Sequence, residues 1–304
     1  MSAASDLPAA REAGLDAWIE LTKPRIVSLV LCTGLPPLLL AAGRVPPARL
    51  LWGTLAGIAL SAASAASFNH YFDRDVDALM RRTRTRPLPS GRLPASAATS
   101  LGFVLAGLAW VTLLVSANLL AAVLAMLSIA YYALLYTVWL KRRTPENIVI
   151  GGGAGASAPL IAWAAATGRV ELPAVLLAAI VFLWTPPHFW ALSLYRRDDY
   201  ARAGIPMLPV THGEAETRRR ILLYTLALVP VTLAVAPLAR LGPVYWASAA
   251  ALGALFVAGA ERLRRRATVP HAVALFRYSI LYLFALFLMM TVDALLRIVA
   301  AAHG

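Results

Sequence analysis

The sequence predicts an all-α polytopic membrane protein with nine spanning helices, and three observations carry that prediction. Charge is scarce: 60% of the 304 residues are apolar and only 14% are charged, against roughly a quarter charged in soluble domains. Uncharged stretches are long, covering 50–72, 93–140, 147–168, 172–195, 221–239 and 278–292, and about 20 apolar residues suffice to cross a bilayer core. Lysine and arginine, moreover, concentrate on alternate connections.

Taken in order, the expected spans are 26–43, 51–68, 93–115, 119–140, 147–166, 173–191, 221–239, 244–261 and 277–297. The run 93–140 is too long for one crossing, and the polar step Ser116-Ala117-Asn118 divides it into a hairpin. With the N-terminus inside, 23 of the 28 Lys and Arg fall on inner segments, and only Arg44, Arg49, Arg169, Arg240 and Arg297 fall outside. That is the positive-inside asymmetry. It requires an odd number of spans, with a cytoplasmic N-terminus and a periplasmic C-terminus. It also assigns the net charge of +13 to membrane topology and the lipid bilayer rather than to nucleic acid.

Residues 1–22 read as a polar N-terminal tail and 23–304 as a single membrane domain. The tail carries Asp6, Glu12, Asp16 and Glu20 and no apolar core, which argues against a cleaved signal peptide and against an acid-poor transit peptide. A bacterial inner membrane is the simplest location. The lone cysteine, Cys32, rules out a disulfide framework and a thiolate metal centre. Outer connections are short, whereas two inner loops, 69–92 and 196–220, are long and rich in charge. Function concentrates where loops exceed what connection requires.

In the first loop Asn69, Asp73 and Asp77 recur every four residues, so on a helix continuing the second span they share one face, spread over about 80°. Three oxygen ligands on one stripe suit a hard divalent cation, and Mg²⁺ takes few carboxylates and leaves room for phosphate oxygens and water. Asp75 points away and is expected to pair with an arginine. Arg81, Arg82, Arg84 and Arg86 follow, guanidinium forks matched to diphosphate oxygens as well as to membrane anchoring. In the second loop Asp198 and Asp199 either form a second carboxylate set facing the first or pair with Arg196 and Arg202. The Pro186-Pro187 pair before it is expected to break the helix and expose carbonyls to a cavity. Lys141 stands out because Lys23 is the only other lysine. The glycines at 151, 152, 153 and 155 lack the Gly-Lys-Ser/Thr ending of a phosphate loop and read as sites of close helix packing.

Asn69-x3-Asp73-x3-Asp77, followed by Arg82-Thr83-x-x-Arg86-Pro87-Leu88-Pro89-Ser90-Gly91, resembles the first motif of the UbiA superfamily of intramembrane prenyltransferases, and the likeness covers nearly the whole chain. Within that superfamily, four strings are similar to the haem-farnesylating branch: Thr185-Pro186-Pro187-His188-Phe189-Trp190, Asp198-Asp199-Tyr200, Ala203-Gly204-Ile205-Pro206-Met207-Leu208-Pro209, and Tyr136-Thr137-x-x-Leu140-Lys141-Arg142. The resemblance implies nine helices around a central cavity open sideways to lipid. It implies farnesyl diphosphate and haem B as substrates and Mg²⁺ as cofactor, with a cytoplasm-facing active site. Asn69, Asp73, Asp77 and Asp199 would hold the metal, and Arg82, Arg86 and Lys141 the leaving group. The family's second motif has an acid where this chain has Tyr195, so Asp198 would substitute as ligand, with Tyr195 and Trp190 among the substrate-binding residues. Tyr71, Tyr136, Trp184 and Trp190 would offer aromatic faces to an allylic cation. His188 would touch haem iron or a propionate, or else be an ordinary hydrogen-bonded histidine. A haem A synthase or a terminal oxidase is the protein partner the resemblance raises. A quinone precursor or chlorophyllide is the alternative prenyl acceptor. A transporter or lipid-binding scaffold is the alternative from another class, and its acids should lie near mid-membrane rather than at inner span ends.

Overall fold

The computed structural model describes residues 14–303, which form helices joined by turns and loops with no strand among them. The elements are α1 (Leu15–Leu21), α2 (Pro24–Ala42), α3 (Ala48–Leu79), α4 (Ala95–Ser116), α5 (Leu119–Ala130), a π-helical segment (Tyr131–Leu140), α6 (Asn147–Gly155) and α7 (Ser157–Thr167). Then follow α8 (Leu172–Tyr195), α9 (Arg197–Arg202), α10 (Leu208–Thr211), α11 (Gly213–Leu238), α12 (Pro243–Arg266) and α13 (Val269–His303). Among the described residues nine helices are long and apolar enough to cross a membrane, with α5 running into the π-helical segment and α6 into α7. All nine expected spans are therefore present. Residues 1–13 of the expected tail lie outside the described residues. Within the rest of that tail, Leu15–Leu21 is a helix that buries Ala17 and Leu21 against Leu93, Ala97 and Ala98. Arg92 ties it down by reaching Glu20 at 2.5 Å and Asp16 at 3.2 Å.

The helices close on themselves. α3 packs along α4, α5 on α7, α7 on α8, α8 on α11, α11 on α12 and α12 on α13, while α2 touches α3, α7 and α13. Large apolar side chains such as Trp52, Phe103 and Leu127 stay exposed on the outside, where lipid tails, as apolar as the residues themselves, accept them. Two polar side chains inside satisfy helix ends. Asn118 caps α5 by accepting from Ala121 N at 3.0 Å and donates to Ala164 O at 2.8 Å, which explains the polar turn. Asp293 on α13 is buried and accepts from Gly242 N at 2.6 Å and Tyr245 N at 3.3 Å, where α12 begins. An intramembrane carboxylate thus caps the start of a neighbouring helix.

Two elements differ from expectation. The Pro186-Pro187 pair does not break α8, which is continuous from Leu172 to Tyr195 with both prolines buried inside. Each ring removes one N–H donor, but a packed span tolerates the lost bonds. The loop 196–220 is largely helical, because α11 already starts at Gly213. Its Arg218, Arg219 and Arg220 pair with Glu214 and Glu216 at helical spacing, and Arg220 also reaches Glu146 at 2.6 Å.

Candidate functional site

α3 is 32 residues long, about 48 Å at 1.5 Å per residue, well beyond a hydrocarbon core of about 30 Å. Its last turns therefore run on past the apolar stretch and carry Asn69, Asp73 and Asp77 on one face. All three are buried, whereas the side chain of Asp75 on the opposite face is 62% exposed and held by both nitrogens of Arg142 at 2.6 and 2.7 Å. The expected arginine partner is thus Arg142, whose own guanidinium is pushed up by that pairing.

The buried stripe lines a cavity of about 350 Å³ walled by α2, α3, the π-helical segment, α6, α8 and α13. Polar residues gather where these helices begin or end on one side of the protein. Lys141 Nζ lies 2.5 Å from Asp73 Oδ2, Arg86 Nη1 is 2.6 Å from Asp77 Oδ2, and Lys23 Nζ donates to Asn69 Oδ1 at 2.5 Å. Asn69 Nδ2 donates to Asp73 Oδ2 at 2.7 Å and to Thr137 Oγ1 at 3.1 Å. Arg82 also faces the cavity and pairs with no carboxylate among the described residues. Three cations and the Lys23 amine therefore meet two carboxylates. Burial, and then the nearby Arg86, pull the Lys23 ammonium down to about 7, while Asp73 opposes the shift.

Backbone geometry aims these groups. Lys23 precedes α2 with φ 49°, a left-handed conformation that turns the chain into Pro24 at the first helical position. In Tyr131–Leu140 the Lys141 N–H bonds Tyr136 O, five residues back. This wider winding, common at functional sites, brings Tyr132 and Tyr136 to the cavity and Thr137 to Asn69. Gly151 makes room: a Cβ there would come within 2.3 Å of the Tyr136 ring, and one at Gly152 within 3.0 Å of Thr185. The glycine run is thus a packing device.

Among the described residues no group of three His, Cys, Asp or Glu is assembled for a metal. The set of two carboxylates and one amide oxygen nonetheless fits Mg²⁺, which completes its shell with phosphate oxygens and water. Asp73 Oδ1 is buried with no hydrogen-bond partner, an anionic oxygen that a cation would satisfy.

Of the other expected residues, Tyr136, Lys141, Arg82, Arg86, Trp184 and His188 line the cavity, whereas Asp198, Asp199, Trp190, Tyr195 and Tyr71 do not. Asp198 is exposed. Asp199 is buried but held by Arg202 on its own helix, with Arg196 at 4.0 Å; its neighbour Tyr200 reaches the cavity. Trp190 follows Trp184 by six residues, a rotation of about 240°, and its ring meets Tyr224 on the far side of α8 at 5.3 Å. Tyr195 rests edge-on against Phe276 and under Arg196, and Tyr71 packs beside Phe72 and under Arg74. Lys23 is the main residue that sequence reasoning missed. Its signal was present, since the chain's only two lysines both contact the motif.

Residues 28–298 match the model of the UbiA prenyltransferase family. A protoheme IX farnesyltransferase from Roseiflexus sp. is 50% identical over 92% of this chain, although the chain spans about half (52%) of that relative's length. Protoheme IX farnesyltransferase 1 of Pseudomonas putida is 49% identical over 94% of this chain and 97% of its own. Solved structures share the fold. One concerned with digeranylgeranylglyceryl phosphate synthase superposes with a TM-score of 0.76 at 19% identity, covering 92% of this chain and 98% of that one. A UbiA homologue from Archaeoglobus fulgidus bound to GPP and Mg²⁺ gives 0.59 at 16% identity, covering 90% and 99%. With the motif on one buried helical face, the closed ring of spans and a family match over most of its length, this chain belongs to the UbiA prenyltransferase family.

Proposed function

We propose that this protein is a Mg²⁺-dependent prenyltransferase that moves the farnesyl group of farnesyl diphosphate onto a vinyl group of protohaem IX, with addition of water, giving haem O and diphosphate. The observation that carries the proposal is the cavity itself, with four basic side chains and two carboxylates at one end and an apolar, aromatic wall beyond. Relatives named for protohaem farnesylation at about half identity supply the choice of acceptor, and a solved homologue holding GPP and Mg²⁺ supports the metal.

Asn69, Asp73 and Asp77 would hold Mg²⁺, whose bound charge neutralises the diphosphate and makes it a better leaving group. Arg86 and Lys141 exchange their carboxylate partners for phosphate oxygens, and Arg82 adds a further positive charge beside the Lys23 hydrogen-bond donor, the kind of preset field that stabilises charge as it develops. The allylic C–O bond breaks and its electron pair leaves with diphosphate. The vinyl π electrons then bond the allylic carbon, and water adds to the resulting porphyrin-stabilised cation and gives up a proton. No enzyme nucleophile is needed. The faces of Tyr136 and Trp184 stabilise the cation, and the apolar wall keeps water from it before transfer. Asp199 stays paired with Arg202 at its own helix rather than acting as a ligand. The arginine-rich side faces the cytoplasm of a bacterial inner membrane, and a haem A synthase or a terminal oxidase is the consumer of the product.

Purified protein given haem B, farnesyl diphosphate and Mg²⁺ is expected to form haem O, measured by chromatography and mass. Asp73→Asn is expected to cut the rate by about 100-fold or more, the scale of losing one preset electrostatic group, with helix content unchanged. Undiminished turnover in that variant, or in the presence of a divalent-metal chelator, overturns the proposal.

A further inference from the structure

We infer that Thr137 positions the amide of Asn69, fixing which end of that side chain is offered to the metal, an inference that rests on the Mg²⁺ reading above and deepens it. An amide serves a hard cation only through its oxygen, and its two ends have nearly the same shape, so a neighbour must choose between them. Thr137 is fully buried on the π-helical segment, does not itself line the cavity, and reaches the site through Asn69. Its hydroxyl has one hydrogen, and that hydrogen is spent on Tyr132 O at 2.8 Å. Toward Asn69, 3.1 Å away, Thr137 Oγ1 can therefore only accept, and only the Nδ2 end of the amide can donate to it. The Oδ1 end is turned the other way, where Lys23 Nζ donates to it.

Asp73 Oδ2 accepts from the same Nδ2 at 2.7 Å, but that oxygen also accepts from Lys141 at 2.5 Å and belongs to a carboxylate proposed to hold the metal. Its grip on the amide competes with those roles. Thr137 has no such competing role. The winding of its segment makes the choice possible. In the regular helices Thr185, Thr225 and Thr232 donate to the carbonyl four residues back. Thr137 donates to the carbonyl five residues back, the interval that Lys141 N–H also spans to Tyr136 O. π-helical turns recur at functional sites. Here the winding directs the hydroxyl hydrogen along its own segment and leaves a lone pair for Asn69.

The test is Mn²⁺ binding in the presence of inorganic diphosphate, read from the electron paramagnetic resonance of free and bound ion with the full detergent-solubilised chain. Thr137→Val keeps the shape and loses the acceptor, so Mn²⁺ affinity should fall roughly 10- to 100-fold, the usual cost of losing a hydrogen-bond partner behind a metal ligand. Thr137→Ser should bind as wild type does. In turnover, the Mg²⁺ concentration for half-maximal rate should rise by the same factor in Thr137→Val, with the rate recovered at saturating Mg²⁺. Thr137→Ala, which adds no atom, repeats the measurement should the valine variant lose helix content. Asn69→Asp separates positioning from packing: a carboxylate offers an oxygen from either end, so in that background Thr137→Val should no longer weaken binding, a coupling that a purely structural threonine would not show. Wild-type Mn²⁺ affinity in Thr137→Val or Thr137→Ala, or a loss that persists in full in the Asn69→Asp background, overturns the inference. If that happens while Asp73→Asn abolishes binding, the metal reading stands and the positioning role alone fails. No saturable Mn²⁺ binding by wild type removes both.

Discussion

At the scale of residues, spacing alone located the acid stripe. Side chains four apart on a helix drift by about 40° per step, so Asn69, Asp73 and Asp77 had to share a face and Asp75 had to leave it, as their burial and exposure show. The second acid pair was not decidable that way, because Arg196 and Arg202 stand three residues either side of Asp199 and could satisfy it locally. In the structure they do. Asp199→Asn should therefore lower haem O formation by less than about 10-fold, since pairs with partly exposed arginines contribute on the order of 1 kcal/mol or less, against the far larger loss in Asp73→Asn. Equal losses in side-by-side rates would make Asp199 a ligand after all. Lys141 shows a different dependence. Removing it leaves Asp73 buried and uncompensated, so Lys141→Met should cost stability of about 3 kcal/mol, seen as a lowered Tm that added Mg²⁺ partly restores by taking the ammonium's place at Asp73.

At the scale of elements, uncharged runs predicted where helices lie but not how far they continue. Arg218, Arg219 and Arg220 ended the predicted seventh span, yet α11 begins at Gly213, because glutamates one turn away neutralise those arginines on the helix surface. The π-helical winding of Tyr131–Leu140 leaves no periodic trace in an apolar segment that is helical either way. Its consequence can be tested at Gly151, whose missing side chain admits the Tyr136 ring. Gly151→Ala should displace that ring toward the cavity, with a cost of about 1–3 kcal/mol for overpacking and a raised KM for the prenyl diphosphate. Gly155→Ala, where a Cβ meets only Val181 at 3.8 Å, should leave both unchanged. A like distinction applies to Asp293. Because it caps the start of α12 from another helix, Asp293→Ala strands backbone N–H groups inside the protein and should lower stability by about 1–3 kcal/mol without altering KM.

At the scale of the whole molecule, scarcity of charge was enough for the number of spans, whereas their order around the ring was not legible, since α2 meets α13 through side-chain shapes that no pattern of polarity records. Orientation is a separate matter and rests on electrostatics. Connections on one side of the spans carry 23 of the 28 basic residues, and translocating them against the positive-inside preference is disfavoured. The polar end of the cavity lies on the same side as the arginines that follow α3, so under the proposed function the side they occupy is the side from which a charged diphosphate would enter. The single native cysteine makes the test clean. In a Cys32→Ser background, Arg84→Cys and Arg169→Cys place one exposed thiol each on opposite sides. A membrane-impermeant maleimide added to intact spheroplasts should label position 169 and spare position 84, and inverted vesicles should give the reverse. Labelling of position 84 from the outside would turn the protein over, and with it the side from which the proposed diphosphate substrate could reach Asp73.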